Sequence, residues 1–181
     1  AAFQTDPDNC SCRGVADRAA LGMIYQIREK FWSLGDEFHI LDESGEIAFL
    51  VQGAAFSWGD KLSLQDPSGR ELAFISQKML SLKPCYEIHR DGGLFATVVK
   101  EFRWFKKEFT LDVPGPNDYS IQGRFWVHDY DFLRGGEPVA TVSKEFFTMS
   151  DRYGVRIRDG EDVVSILAAC IVIDQVLEDD S

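Results

Sequence analysis

The sequence is short of cysteine, histidine and positive charge, and it has no long hydrophobic run. Among its 181 residues are four cysteines and three histidines, with 30 acidic side chains against 19 basic ones and a formal net charge of −11. Scarce positive charge excludes a main task of neutralising phosphates, because nucleic-acid affinity comes largely from Lys and Arg releasing counterions. It also disfavours general adhesion to anionic membrane. The longest apolar run, Val163 to Ile173 with Ser165 included, spans 11 residues, whereas a spanning helix needs roughly 17 to 25. A chain that is not transmembrane is therefore expected. No apolar segment of signal-peptide type opens the sequence, so a cytoplasmic, reducing compartment is the expectation.

Cys10, Cys12, Cys85 and Cys170 suggest no disulfide framework. Cys10-Ser-Cys12 lies beside Asp6 and Asp8, but without a second Cys or His pair it does not make a metal site. His39, His89 and His128 each stand alone, and outward positions on strands account for them. No Ser or Cys elbow, no paired His ligands and no Gly-rich phosphate loop are present. The acidic residues scatter through turns and offer no acid and base pair. No catalytic residue, metal or cofactor is expected, and the chain reads as a non-enzyme.

What the sequence does have is a period. Turn glycines fall at Gly45, Gly69, Gly93, Gly115, Gly136 and Gly160, at intervals of 24, 24, 22, 21 and 24 residues, which marks one supersecondary unit used repeatedly. Asp42-Glu-Ser-Gly45 and Asp66-Pro-Ser-Gly69 carry the chemistry of type I turns. Arg90-Asp-Gly-Gly93 and Arg134-Gly-Gly136 supply the positive dihedral angles of tight hairpins. Before each turn the apolar residues alternate, as in Leu62-x-Leu64, Phe109-x-Leu111 and Tyr130-x-Phe132, the period of a half-buried strand. After it come Ala48-Phe-Leu, Ala73-Phe-Ile, Ala96-Thr-Val and Ala140-Thr-Val. Lys78, Lys100 and Lys144 follow, where a strand end in solvent is expected. Corners such as Trp32 to Asp36, Ser57 to Asp60 and Phe147 to Asp151 join the hairpins. With a first strand from Ile24 to Phe31, the total is about twelve antiparallel strands.

The final segment, Glu161 to Leu177, reads as a helix apolar on every side, which must be enclosed. Barrels of about eight strands fill with side chains and those of sixteen or more leave a channel. About twelve strands therefore leave room for one helix roughly 10 to 12 Å across. Residues 1–22 read as a loose tail, with Met23 as an alternative start, and residues 23–181 as a single domain.

The stretches Arg28-Glu-Lys-Phe-Trp-Ser-Leu-Gly-Asp36, Gly59-Asp-Lys-Leu-Ser-Leu-Gln-Asp-Pro-Ser-Gly69 and Phe109-Thr-Leu-Asp-Val-Pro-Gly-Pro-Asn-Asp-Tyr119, with the closing helix, resemble the LURP-one-related family. That family groups with Tubby C-terminal-like and phospholipid-scramblase proteins. The resemblance, from Met23 to Asp180, implies a closed twelve-stranded antiparallel barrel around a buried C-terminal helix. It implies no defined activity, although its Tubby relatives bind phosphoinositide headgroups through basic residues.

The one stretch with a headgroup character is Lys100 to Lys107, where Lys100, Arg103, Lys106 and Lys107 surround Trp104. Cations among aromatic residues suit a membrane interface, and a hairpin corner explains the same residues structurally. Arg124, Arg134, Arg152, Arg156 and Arg158 are expected on outer faces, paired with neighbours such as Asp129, Asp131 and Asp151. The chain therefore reads as a non-catalytic binding or scaffold barrel for a protein or small ligand. A phospholipid-headgroup module peripheral to a membrane is the alternative.

Overall fold

A computed structural model describes residues 22–28, 37–53, 61–78, 80–103, 106–146 and 152–179. The strands are β1 (Met23–Arg28), β2 (Glu37–Leu41), β3 (Ile47–Gly53), β4 (Lys61–Gln65), β5 (Glu71–Gln77) and β6 (Cys85–Arg90). They continue with β7 (Gly93–Arg103), β8 (Lys106–Asp112), β9 (Tyr119–Arg124), β10 (Asp129–Arg134), β11 (Glu137–Ser143) and β12 (Arg152–Ile157). One helix, α1 (Val163–Asp179), closes the chain. Each strand pairs with its neighbour in sequence, antiparallel throughout, and β1 pairs with β12 to close a barrel. The seam between β1 and β2 is the thinnest, with only Gln26 opposite Leu41 in register among the described residues.

The sequence period becomes the wall. In the turn between β2 and β3, the Gly45 amide donates to the Asp42 carbonyl at 3.1 Å, and the Asp42 carboxylate accepts from the amides of Ser44 and Glu46. Asp66 repeats the arrangement with Gly69, Ser68 and Arg70. Closing the turn with an Asp side chain spares its amides from needing water, and glycine takes the left-handed fourth position. After Gly45 and Gly69 the register shifts by one residue, as it does at the β6–β7 and β10–β11 hairpins.

The alternating residues point inward. Ile40, Leu64, Ile75, Ile88, Leu111, Phe132 and Val155 are buried, and so are Ala73, Ala96 and Ala140, whose small side chains leave width for the helix. Ile166 to Ile173 of α1 fill that width, and each large aliphatic residue enclosed there contributes about 1.5 to 3 kcal/mol. The helix lies against β5, β6, β7 and β12. It starts two residues later than expected because Asp162 caps it, accepting from the Ser165 amide at 3.3 Å and its hydroxyl at 3.1 Å.

Two expectations are corrected. Lys100 is not at a solvated strand end: it continues the inward row of Ala96 and Val98 in the long strand β7 and is 7% exposed. His128 is not an outward strand residue. It follows a 3-10 turn, Phe125–Val127, in a left-handed conformation with φ 48°, and this turns its ring inward. The tail up to Leu21, with Cys10 and Cys12, lies outside the described residues. So do Trp104 and the corners at Trp32 to Asp36, Ser57 to Asp60 and Phe147 to Asp151.

Candidate functional site

The two ends of the barrel differ in chemistry. The hairpin turns at Gly45, Gly69, Gly92, Gly115 and Gly135 form one end, where α1 begins. Acidic residues crowd it, with Asp42, Glu43, Asp66, Asp91, Asp118, Asp159, Glu161 and Asp162 in the connections. There Arg134 reaches Glu161 at 2.7 Å and Tyr119 donates to Glu161 at 3.0 Å, while Arg90 reaches Asp162 at 2.5 Å. Burial and the neighbouring Glu161 push the Tyr119 hydroxyl up to about 12. These contacts lock the start of the helix to three wall strands.

The opposite end holds the other polar knot. Asp174, on the far half of α1, accepts from the Tyr153 hydroxyl at 2.6 Å and lies 3.2 Å from His128 Nε2. The imidazole stacks on the Tyr153 ring with centroids 4.4 Å apart. His128 and Asp174 are only 14% and 11% exposed. Burial holds the hydroxyls of Tyr130 and Tyr153 well above their ordinary range, and Asp174 adds to it. Burial likewise pushes the Cys170 thiol up, so it behaves as a small hydrophobe and not as a thiolate.

Three neighbouring connections at this second end carry the surface. Between β5 and β6, Leu80 and Leu82 are 99% and 104% exposed. Between β9 and β10, Trp126 and Val127 are half exposed. The hairpin of β7 and β8 stands between them, with Arg103 opposite Lys106 across a two-residue connection. The expected headgroup residues are thus partly brought together: Arg103, Lys106 and Lys107 share a hairpin tip, and Lys100 is inside. Lys78 and Lys83 flank the leucines and are held by Glu87 at 3.3 Å and Glu101 at 2.6 Å. Sequence reasoning missed Leu80 and Leu82, although two leucines in Met79-Leu-Ser-Leu-Lys-Pro84 that break the strand period were a usable signal.

The basic residues of the later strands do not all pair as expected. Arg124 pairs with Asp129, while Arg134 turns to Glu161 at the barrel end. Arg152 donates to Gln26, Arg156 lies over the Phe146 ring and Arg158 donates to the Pro138 carbonyl. Among the described residues no group of His, Cys, Asp and Glu has the arrangement of a metal site.

A protein-family model described as LURP-one-related matches residues 23–174. The chain belongs to the LURP-one-related family. The Bacillus subtilis protein YxjI is 36% identical over 154 residues, covering 85% of this chain and 93% of that one. An Arabidopsis thaliana relative, LURP-one-related 15, is 26% identical over 174 residues, covering 85% of this chain and 80% of its own. An X-ray structure of an Arabidopsis thaliana protein superposes with a TM-score of 0.63 at 17% identity, covering 88% of this chain and 93% of that one. That likeness concerns the fold, and it agrees with the closed twelve-stranded LURP-one-related barrel around its helix. Among the described residues, no helix is long and apolar enough to cross a membrane.

Proposed function

We propose that this LURP-one-related barrel is a non-catalytic binding domain that engages a partner protein through the end opposite the turn glycines. The carrying observation is the pair Leu80 and Leu82, whose side chains stand fully in water at the same end as Trp126 and Val127, with the β7–β8 hairpin between the two connections. Exposed apolar side chains gathered on neighbouring connections mark an interaction surface more often than an accident of folding. The lumen is occupied by α1, whose residues Ile166 to Ile173 are buried, which favours the outer surface as the place of binding. His128 and Tyr153 are committed to Asp174, and the Cys170 thiol stays protonated, so these titratable groups serve packing. The test is affinity capture from the native host with wild-type protein and with a Leu80→Asp, Leu82→Asp double variant. A partner recovered only by the wild type supports the reading, and identical recovery by both discards this surface.

A second reading, a phospholipid-headgroup module, is favoured by the Arg103 to Lys107 hairpin standing between the two apolar connections. The acidic turn end would point such a molecule away from an anionic surface. Sedimentation with vesicles containing phosphatidylserine tests it. Binding abolished by Lys106→Glu with Lys107→Glu supports the lipid reading, and equal recovery with and without vesicles removes it.

A further inference from the structure

A cleft of about 440 Å³ runs along the outer wall over β10, β11 and β12, bordered by a 3-10 turn, Lys144–Phe146. Its size falls within the usual range of small-ligand sites, roughly 300 to 1,000 Å³. Register places Asp131, Thr141 and Arg156 side by side across the three strands. The Thr141 hydroxyl donates to Asp131 at 2.7 Å, which orients the carboxylate. Arg156 Cζ sits over the Phe146 ring, 4.4 Å from its centroid. Arg158, two residues further on and just past the end of β12, spends one nitrogen on the Pro138 carbonyl.

Among the described residues, none of Asp131, Glu145, Arg156 and Arg158 forms an ion pair. With the third lining carboxylate, Asp129, already paired with Arg124, two carboxylates and two guanidiniums share one cleft without neutralising each other. A guanidinium held over an aromatic ring keeps its planar fork of donors for a carboxylate or phosphate. A carboxylate fixed by a threonine keeps free lone pairs that can accept from an ammonium group. The charges balance, so a purely anionic or purely cationic ligand would meet repulsion from one side.

We infer that this cleft is a binding site for a small zwitterion, with its anionic group on Arg156 and Arg158 and its ammonium on Asp131 and Glu145. Asp131 and Arg156 are separated by two strand spacings, about 10 Å between Cα atoms. A dipeptide with free termini spans that gap better than a single amino acid, whose charges share one carbon. The site is remote in sequence from the leucines and stands whether or not the barrel end binds a protein.

The experiment titrates isotope-labelled protein with L-alanyl-L-alanine and follows the amide resonances of Thr141 and Arg156. Saturable shifts are expected, weakened about tenfold by Arg156→Gln and by Asp131→Asn, since each removes one charge-assisted contact. N-acetylated and C-amidated dialanine should each bind about tenfold more weakly for the same reason. Both substitutions are on the outer wall, so an unchanged melting temperature separates lost binding from lost folding. Absence of saturable shifts, or shifts indifferent to capping and to both substitutions, overturns the inference and leaves the Leu80 and Leu82 surface untouched.

Discussion

The Asp174 carboxylate and the Tyr153 hydroxyl meet at 2.6 Å across the gap between the central helix and the barrel wall. With His128 on the other carboxylate oxygen, the contact sets the helix's rotation and depth, which apolar packing alone leaves loosely specified. A helix apolar on all sides can turn or slide at little cost, whereas a buried carboxylate must find its donors.

Loss of that contact should therefore be costly. Tyr153→Phe is expected to destabilise the protein by about 2 kcal/mol, as removal of a hydrogen bond to a charged group does. Asp174→Asn should cost a similar amount, and the double variant less than the sum. Chemical denaturation of the four proteins measures the cycle; strict additivity would show that the residues do not act together.

Four of the five tyrosines should resist ionisation. Burial raises Tyr25, Tyr130 and Tyr153, and raises Tyr119 from 10.0 to about 12. A raised folded value means that the stabilisation from neutral Tyr119 is fully present below pH 10.0 and is lost as pH climbs towards about 12. Tyrosinate absorbance should accordingly lag behind that of the denatured chain, and Tyr119→Phe should lessen the stability lost over that window.

Acid should act on Asp66. Hydrogen bonds from the Ser68 hydroxyl and the Arg70 amide hold its carboxyl at about 2, below the usual 3.8. A lowered folded value gives stabilisation that is present above 3.8 and lost as pH falls through about 2. The stability gap between wild type and Asp66→Asn should shrink over that range, measured by thermal melting; a constant gap would place the effect elsewhere.

Two glycines should respond differently to alanine. At Gly123, φ is +149° and a Cβ would sit 2.5 Å from both the Asp129 carbonyl oxygen and Tyr130 Cα. At Gly45, φ is +84° and a Cβ would meet nothing within 4 Å. Gly45→Ala should cost about 1 kcal/mol of backbone strain. Gly123→Ala should cost on the order of 3 kcal/mol, since β9 must also back away from β10. Equal losses in denaturant titration would contradict the close approach.

The barrel was readable because its determinants are local and repeated. Turn glycines such as Gly69, cap residues such as Asp66 and inward pairs such as Leu62 and Leu64 act within a few residues, where spacing in sequence is spacing in space. The helix was readable because an all-apolar surface has one remedy, enclosure. His128 was misplaced because a left-handed residue after a 3-10 turn breaks the strand alternation that would have sent its ring outward. Lys100 was misplaced because an inward row runs longer in β7 than in its repeats. The likeness to LURP-one-related proteins was carried by turns and corners, which are local too.

By itself the sequence determined twelve strands, their turns, and a helix that had to be housed. Tertiary structure decided which end of the barrel gathers the acidic turns and which carries Leu80 and Leu82, the meeting of His128, Tyr153 and Asp174, and the alignment of Asp131, Thr141 and Arg156 across three strands. The physical reason is that periodicity assigns each side chain a face of its own strand, whereas neighbours on different strands are chosen by register and closure, which depend on the whole chain at once.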